Sequence, residues 1–360
     1  MQADSNPKGV FVGIDNHSRS LQVCVLDQAG QILVNRPVPN DCPAVADLAS
    51  RFGRVRRAAL EAGSGSADLA EQLIQYADWS VELAHPGYVA RMKASPDKHD
   101  LGDAHLLADL TRVGYLPRVW LAPPWVRELR RLVRYRQQQV DERRNARLRI
   151  GALLRDHRVR PPVRVNAWTQ AWWYWLETEV IPELPARSAW IIPQQVKKIE
   201  WLSKEVRRAE TQLRRHTNGD RLIERLLEES GVGVVTAWVL RAEIGRFDRF
   251  DRGKALSRFC GLSPRNASSG ERQADAGMIK AGSPLLRATL IELAHRLPRC
   301  EDRWQAYRQQ LLAAGKPGSV VAAAVANRWI RGLYYRMVQG HGDVAQEPLN
   351  ESVTGVRVEC

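Results

Sequence analysis

The residues best equipped for chemistry in this chain are carboxylates. Asp100 and Asp103 stand three apart in Lys98-His99-Asp100-Leu101-Gly102-Asp103-Ala104, and the spacing of Leu106, Leu107 and Leu110 predicts a helix there. Positions i and i+3 share a helix face, so both carboxylates point the same way. Adjacent carboxylates repel each other, and a divalent cation is the usual compensation. Two further acids close apolar, strand-like runs: Asp15 follows Val10-Phe11-Val12-Gly13-Ile14, and Glu61 follows the run from Val55 to Leu60. Strand-end acids plus two on one helix face can converge into a four-carboxylate, two-metal site. The plain alternative is that strand-end acids are turn residues.

The elements that must position these acids follow from the pattern. Residues 10–15, 21–27 and 31–38 read as three strands linked by turns at Asp15 to Ser20 and at Ala29-Gly30. A helix over 44–52, the strand ending at Glu61, a helix over 66–77, a strand over 80–83 and the Asp100 helix complete the first part. Hairpin-linked strands followed by βα units predict a mixed sheet with helices on its faces, in an order that suits a ribonuclease-H-like fold with Asp15 on the central strand. Pro123-Pro124 marks a boundary.

Beyond it, a long helix is expected from Trp125 to about His157. Residues 127–160 hold twelve arginines against four acids, a density suited to phosphate; the alternative is a solvated helix face. Arg130, Arg131, Arg134, Arg143 and Arg147 are its candidate nucleic-acid contacts. Residues 163–219 carry a cluster of tryptophans (Trp168, Trp172, Trp173, Trp175, Trp190 and Trp201 among them), and a second helix is expected after Pro193, over Gln194–His216, antiparallel to the first. Tryptophans of this kind either pack between helices, the favoured reading, or stack on exposed bases. Next, Leu222–Glu229 reads as helix, Ser230-Gly231-Val232-Gly233 as a break, and Val234–Ile244 as helix. Such a turn can aim the N–H groups around Gly231 and Gly233 at a phosphate, or be simply a tight turn. A polar loop containing Ser268-Ser269-Gly270, a core helix over 284–297 and an amphipathic helix over 320–338 follow, and the tail after His341 reads as disordered.

The totals agree with a polyanion partner. The 360 residues carry a net charge of +14 and an isoelectric point near 10.0, which points to nucleic acid. No apolar run of spanning length and no signal peptide is seen, so no membrane role is expected. The five cysteines are scattered without zinc-like spacing, which predicts reduced thiols in a cytoplasmic protein.

Taken in order, these residues resemble a family. Gly13-Ile14-Asp15, Glu61-Ala62-Gly63-x-Gly65 and Lys98-x-Asp100-x-x-Asp103-Ala104-x-x-Leu107-Ala108 look like the Asp-Glu-Asp-Asp set of the DEDD transposases of insertion sequences and the related Piv-type invertases. The second half is similar too, in Gly231-Val-Gly233, Arg246-Phe247-x-x-Phe250, Leu256-x-x-Phe259-x-Gly261-Leu-x-Pro264, Ser269-Gly270 and Lys280-x-Gly282-x-x-Leu285-x-Arg287. The likeness covers about residues 10–115 and 220–300.

The resemblance implies a RuvC-like catalytic domain (1–122), a helical coiled-coil segment (123–219) and a small all-α transposase domain with a helix-hairpin-helix-like turn and a serine loop (220–340), before the tail 341–360. It implies catalysis by Asp15, Glu61, Asp100 and Asp103 as ligands of two Mg²⁺ ions, and by Ser269 as nucleophile. Where the family often has Glu-Ser-Gly this chain has Ser268-Ser269-Gly270, which leaves Ser268 as the alternative; Ser230 stands where the family has proline. Lys280 and Arg287 join the candidate nucleic-acid contacts. DNA, a guide (bridge) RNA and a homodimer or tetramer are the implied partners, with the protein on the nucleoid when bound to DNA. The rival readings are a RuvC-like nuclease or junction resolvase using water, an actin-like ATPase, for which a second Asp-x-Gly phosphate loop is missing, and an RNA-binding scaffold, which has no use for four acids.

Overall fold

A computed structural model describes residues 9–92, 100–266, 275–279 and 282–339, and the side chain of Asp100 lies outside that description. The chain divides at Pro123/Pro124 into two compact units.

The first unit runs β1 (Val10–Asn16), β2 (Ser20–Leu26), β3 (Ile32–Pro39), α1 (Cys42–Ser50), β4 (Val55–Glu61), α2 (Ser66–Ala77), β5 (Val81–Ala84), α3 (Pro86–Met92), α4 (Asp100–Arg112) and β6 (Arg118–Val119). Six strands form one mixed sheet in the order β3-β2-β1-β4-β5-β6, with β1 parallel to β4 and antiparallel to β2. This is the mixed sheet expected, with β1 central. Strand alternation divides the chemistry between faces. Val12, Ile14, Ala58 and Leu60 pack with Val45, Leu69 and Leu73 of α1 and α2. The opposite face carries Cys24, Leu26 and Ala59, covered by Ala104, Leu107 and Ala108 of α4. Helix α3 was not foreseen; at seven residues it is too short to show a period.

The second unit opens with α5 (Pro124–Asp156), followed by α6 (Gln170–Trp175), a π-helical turn over 176–180 and α7 (Ala186–His216). The pairs Arg136–Glu210, Arg143–Ser203 and Lys198–Glu142 show that α5 and α7 run antiparallel, as expected. Helix α7 starts earlier than the sequence suggested, and Pro193 lies inside it. A proline there costs about 3 kcal/mol. Ile192 and Ile199, which flank it, are buried with Trp172, Trp175 and Leu176, and that packing holds the turn helical. These indoles are core, as favoured, whereas Trp190 and Trp201 are exposed.

The chain continues through α8 (Arg221–Leu227), α9 (Val234–Ile244), α10 (Gly253–Phe259), β7 (Pro264–Asn266), β8 (Asp275–Met278), α11 (Pro284–Cys300), α12 (Asp302–Ala313) and α13 (Gly318–Gln339). Leu129, Val133 and Leu213 share one core with residues 222–337, so the expected segments 123–219 and 220–340 both fall in this unit. The region is helical as expected, with one addition to the all-α reading: β7 and β8 pair as an antiparallel ribbon. The alternation there is three or four residues long, too short to stand out in sequence. The tail after residue 340 lies outside the described residues. Among the described residues no helix is long and apolar enough to cross a membrane.

Candidate active site

Asp15 and Glu61 come to the same edge of the sheet through register. β1 and β4 are parallel neighbours, and Ile14 pairs with Leu60, so Asp15 and Glu61 are the next residues along adjacent strands. Ile14 and Leu60 both face α1 and α2, so by alternation both acids face the side that α4 covers. Helix α4 lies against β1 there, close enough that a Cβ on Gly13 would meet the Ala104 carbonyl oxygen at 2.0 Å. Asp103, the residue before that contact, is buried at 8% exposure. The backbone of Asp100 begins α4. Sequence distance of 88 residues between Asp15 and Asp103 is thus spanned by one helix crossing the central strand.

The sequence reading missed His17, whose Nε2 lies 3.1 Å from Asp15 Oδ2. His17 stands two residues after Asp15 and one past the end of β1, at the start of the turn to β2, where no periodicity marks it. Asn16 supports the same corner: its amide donates to the Ser64 carbonyl at 3.0 Å and accepts from Asn40 Nδ2 at 3.2 Å. The loop after Glu61 is thereby tied to the end of β1. Among the described residues no three His, Cys, Asp or Glu side chains form a group able to hold a metal.

In the second unit, Ser268, Ser269 and Lys280 lie outside the described residues. Their setting is described: residues 267–274 join β7 to β8, and the base of that ribbon is held firmly. Asn327 of α13 donates to Ser257 Oγ at 2.7 Å and to the Leu262 carbonyl at 3.0 Å, and Ile279 N donates to the Ser263 carbonyl at 2.9 Å. Gly282 has φ +72 and sits so near the Phe259 carbonyl that a Cβ would lie 2.1 Å from it. The Gly261-Leu262-Ser263-Pro264 and Gly282 motifs therefore anchor the two ends of the serine-bearing connection to α10 and α13. Asn327, which in sequence reads only as a polar interruption of the last helix, gains this anchoring role from the tertiary structure.

The candidate phosphate contacts have diverse settings. Arg130 turns inward, its Nε donating to the Ala242 carbonyl at 2.6 Å; burial pushes its guanidinium below the usual arginine range. Arg134 makes a two-pronged bond to Glu243, 3.0 Å at each prong. Arg131 pairs with Glu128, Arg143 reaches Ser203 at 3.4 Å, and Arg147 stacks over Trp168 at 5.4 Å. Gly231 takes φ +77 in the turn before α9, Gly233 caps that helix with open space around it, and Arg287 is half-buried on α11.

A RuvC-like mixed sheet whose strand-end acids face a crossing helix, followed by a helical second unit, is the arrangement of the DEDD transposase class. Sequence comparison places it more narrowly. A family model described as a transposase, of the DEDD type, matches residues 12–158, and one described as the transposase IS116/IS110/IS902 family matches residues 223–309. A probable family 20 transposase of Pseudomonas aeruginosa is 28% identical over 274 residues, 71% of this chain and 79% of that protein. The transposase for insertion sequence element IS1328 of Yersinia enterocolitica is 23% identical over 359 residues, 93% of this chain and 98% of that one. The chain belongs to the IS110/IS116 family of insertion-sequence transposases.

Proposed function

We propose that this transposase cuts and rejoins DNA through a covalent ester to Ser269, with Asp15, Glu61, Asp100 and Asp103 holding Mg²⁺. The observation that carries the reading is the register of β1 and β4, which puts Asp15 and Glu61 side by side under the helix that bears Asp100 and Asp103. All four are hard oxygen donors, the set that suits Mg²⁺. Bound there, the ion would supply Lewis-acid stabilisation of charge on the phosphate oxygens. His17 lies beside Asp15, and Asn16 ties the loop that follows Glu61 to the end of β1.

Ser269 forms the O–P bond as the bond to the departing strand breaks; its hydroxyl proton is released and the departing oxygen is protonated. The phosphoester keeps the bond energy, so rejoining needs no nucleotide cofactor. The anchored ends of the ribbon give the serine a fixed base from which to reach DNA. Arginines of α5 hold backbone phosphates without reading sequence, and a guide RNA supplies sequence by pairing, with Mg²⁺-dependent strand transfer performed by a dimer or tetramer.

The test is to trap a protein–DNA adduct with Mg²⁺ and map the linked residue by mass spectrometry. Ser269→Ala is expected to abolish the adduct and preserve DNA binding, and Ser268→Ala to leave both. An adduct that survives Ser269→Ala assigns the wrong nucleophile. Cutting that persists in Ser269→Ala with no adduct would make the protein a nuclease using water.

A further inference from the structure

Helix α7 presents one face to α5 and another to solvent. On the solvent side Trp190, Lys197, Trp201, Lys204, Arg208 and Arg215 follow one another at intervals of 7, 4, 3, 4 and 7 residues, which keeps them on one stripe of a helix. All six are exposed, Trp190 at 68% and Trp201 at 53%. Buried Ile192, Ile199, Leu202, Val206 and Leu213 mark the other side. Arg208 pairs with Glu205 at the edge of the stripe; among the described residues Lys197, Lys204 and Arg215 form no ion pair. Exposed Glu200 and half-buried Glu205 border the stripe on its two sides, and cations outnumber them along it four to two.

Two indoles left in water beside a row of cations fit a particular partner. We propose that this face of α7 binds an unpaired nucleic-acid strand, its bases stacked on Trp190 and Trp201 and its phosphates on Lys197, Lys204, Arg208 and Arg215. A duplex keeps its base faces stacked inside and offers nothing to an indole, whereas an unpaired strand offers one at every nucleotide. The two tryptophans stand about 16 Å apart along the helix, at 1.5 Å per residue, so successive parts of one strand reach both. A second copy of the chain is a poor occupant, because the stripe would meet its own positive charge; a polyanion is its complement. The stripe lies in residues 159–222, between the two segments that the family models match. It rests on the chain acting on nucleic acid and on neither the serine nor the metal.

The test therefore uses the full-length protein in EDTA, with a short unstructured RNA, the DNA strand of the same sequence and the corresponding duplex, each followed by fluorescence anisotropy. Trp190→Ala with Trp201→Ala is expected to weaken single-strand binding about tenfold or more and to leave duplex binding and the melting temperature unchanged. Trp190→Phe with Trp201→Phe, which keeps a ring at each position, restores affinity while removing the quenching of indole fluorescence that stacking produces. Lys197→Gln with Lys204→Gln lowers the salt dependence of binding. A larger loss for RNA than for DNA identifies RNA as the strand; equal losses mean that either is held. Unchanged single-strand affinity in the double alanine variant overturns the proposal, as does an equal loss for the duplex. A changed oligomeric state with binding intact would also overturn it, making the stripe a contact between copies.

Discussion

Gly13 of the central strand lies directly beneath the backbone of α4: a Cβ there would stand 2.0 Å from the Ala104 carbonyl oxygen and 2.4 Å from the Ala108 nitrogen. Backbone atoms cannot rotate away as a side chain can. Gly13→Ala is therefore expected to push α4, with Asp100 and Asp103, off the sheet, at a cost of about 2 kcal/mol or more. Urea unfolding measures the loss, and strand cutting should fall with it. Unchanged stability would mean that α4 shifts without resistance.

If Asp15 and Glu61 hold Mg²⁺ as proposed, the ion stabilises the folded state by mass action. Adding Mg²⁺ should then raise the melting temperature of the wild type, and Asp15→Asn or Glu61→Gln should erase the rise. An equal rise in both variants would place the ion elsewhere.

Arginines of α5 separate into two kinds. Glu243 has only 4% of its side chain exposed and takes both prongs of Arg134. Arg134→Ala strands that carboxylate and should cost about 2–3 kcal/mol of stability. Arg144 is exposed; Arg144→Ala should change stability by less than about 0.5 kcal/mol but lower the salt slope of nucleic-acid binding by about one. Equal stability losses from the two would refute this division.

Burial pushes the Cys24 thiol up from 9.0 to about 12, and burial also raises Cys260. At pH 8 the Cys24 thiol therefore stays protonated, whereas Cys300 is exposed. A maleimide should label Cys300 in the native protein and reach Cys24, Cys42 and Cys260 only on unfolding. Because folding raises these pKa values, the stability they contribute is whole below pH about 9 and is lost as pH rises toward 12. The melting temperature should fall over that window, and less steeply in Cys24→Ala.

Periodicity made most of the elements legible: the alternation in 10–61 gives the strands, and the twelve-arginine run with its apolar spacing gives α5. The acids stood out because charge at the end of an apolar run is conspicuous. Local pattern also misled where packing outweighs propensity, as at Pro193, which the core around Trp172 and Ile192 keeps inside a helix. What sequence left open was register and facing. Only the pairing of Ile14 with Leu60 puts Asp15 beside Glu61, and only tertiary burial sorts identical residue types. Trp172 is in the core and Trp190 is in water; Arg130 holds carbonyls at the end of α9 while Arg144 faces solvent. Composition is the same for each pair. The difference lies in which helix face meets another element, and that depends on contacts made by residues far away in the chain.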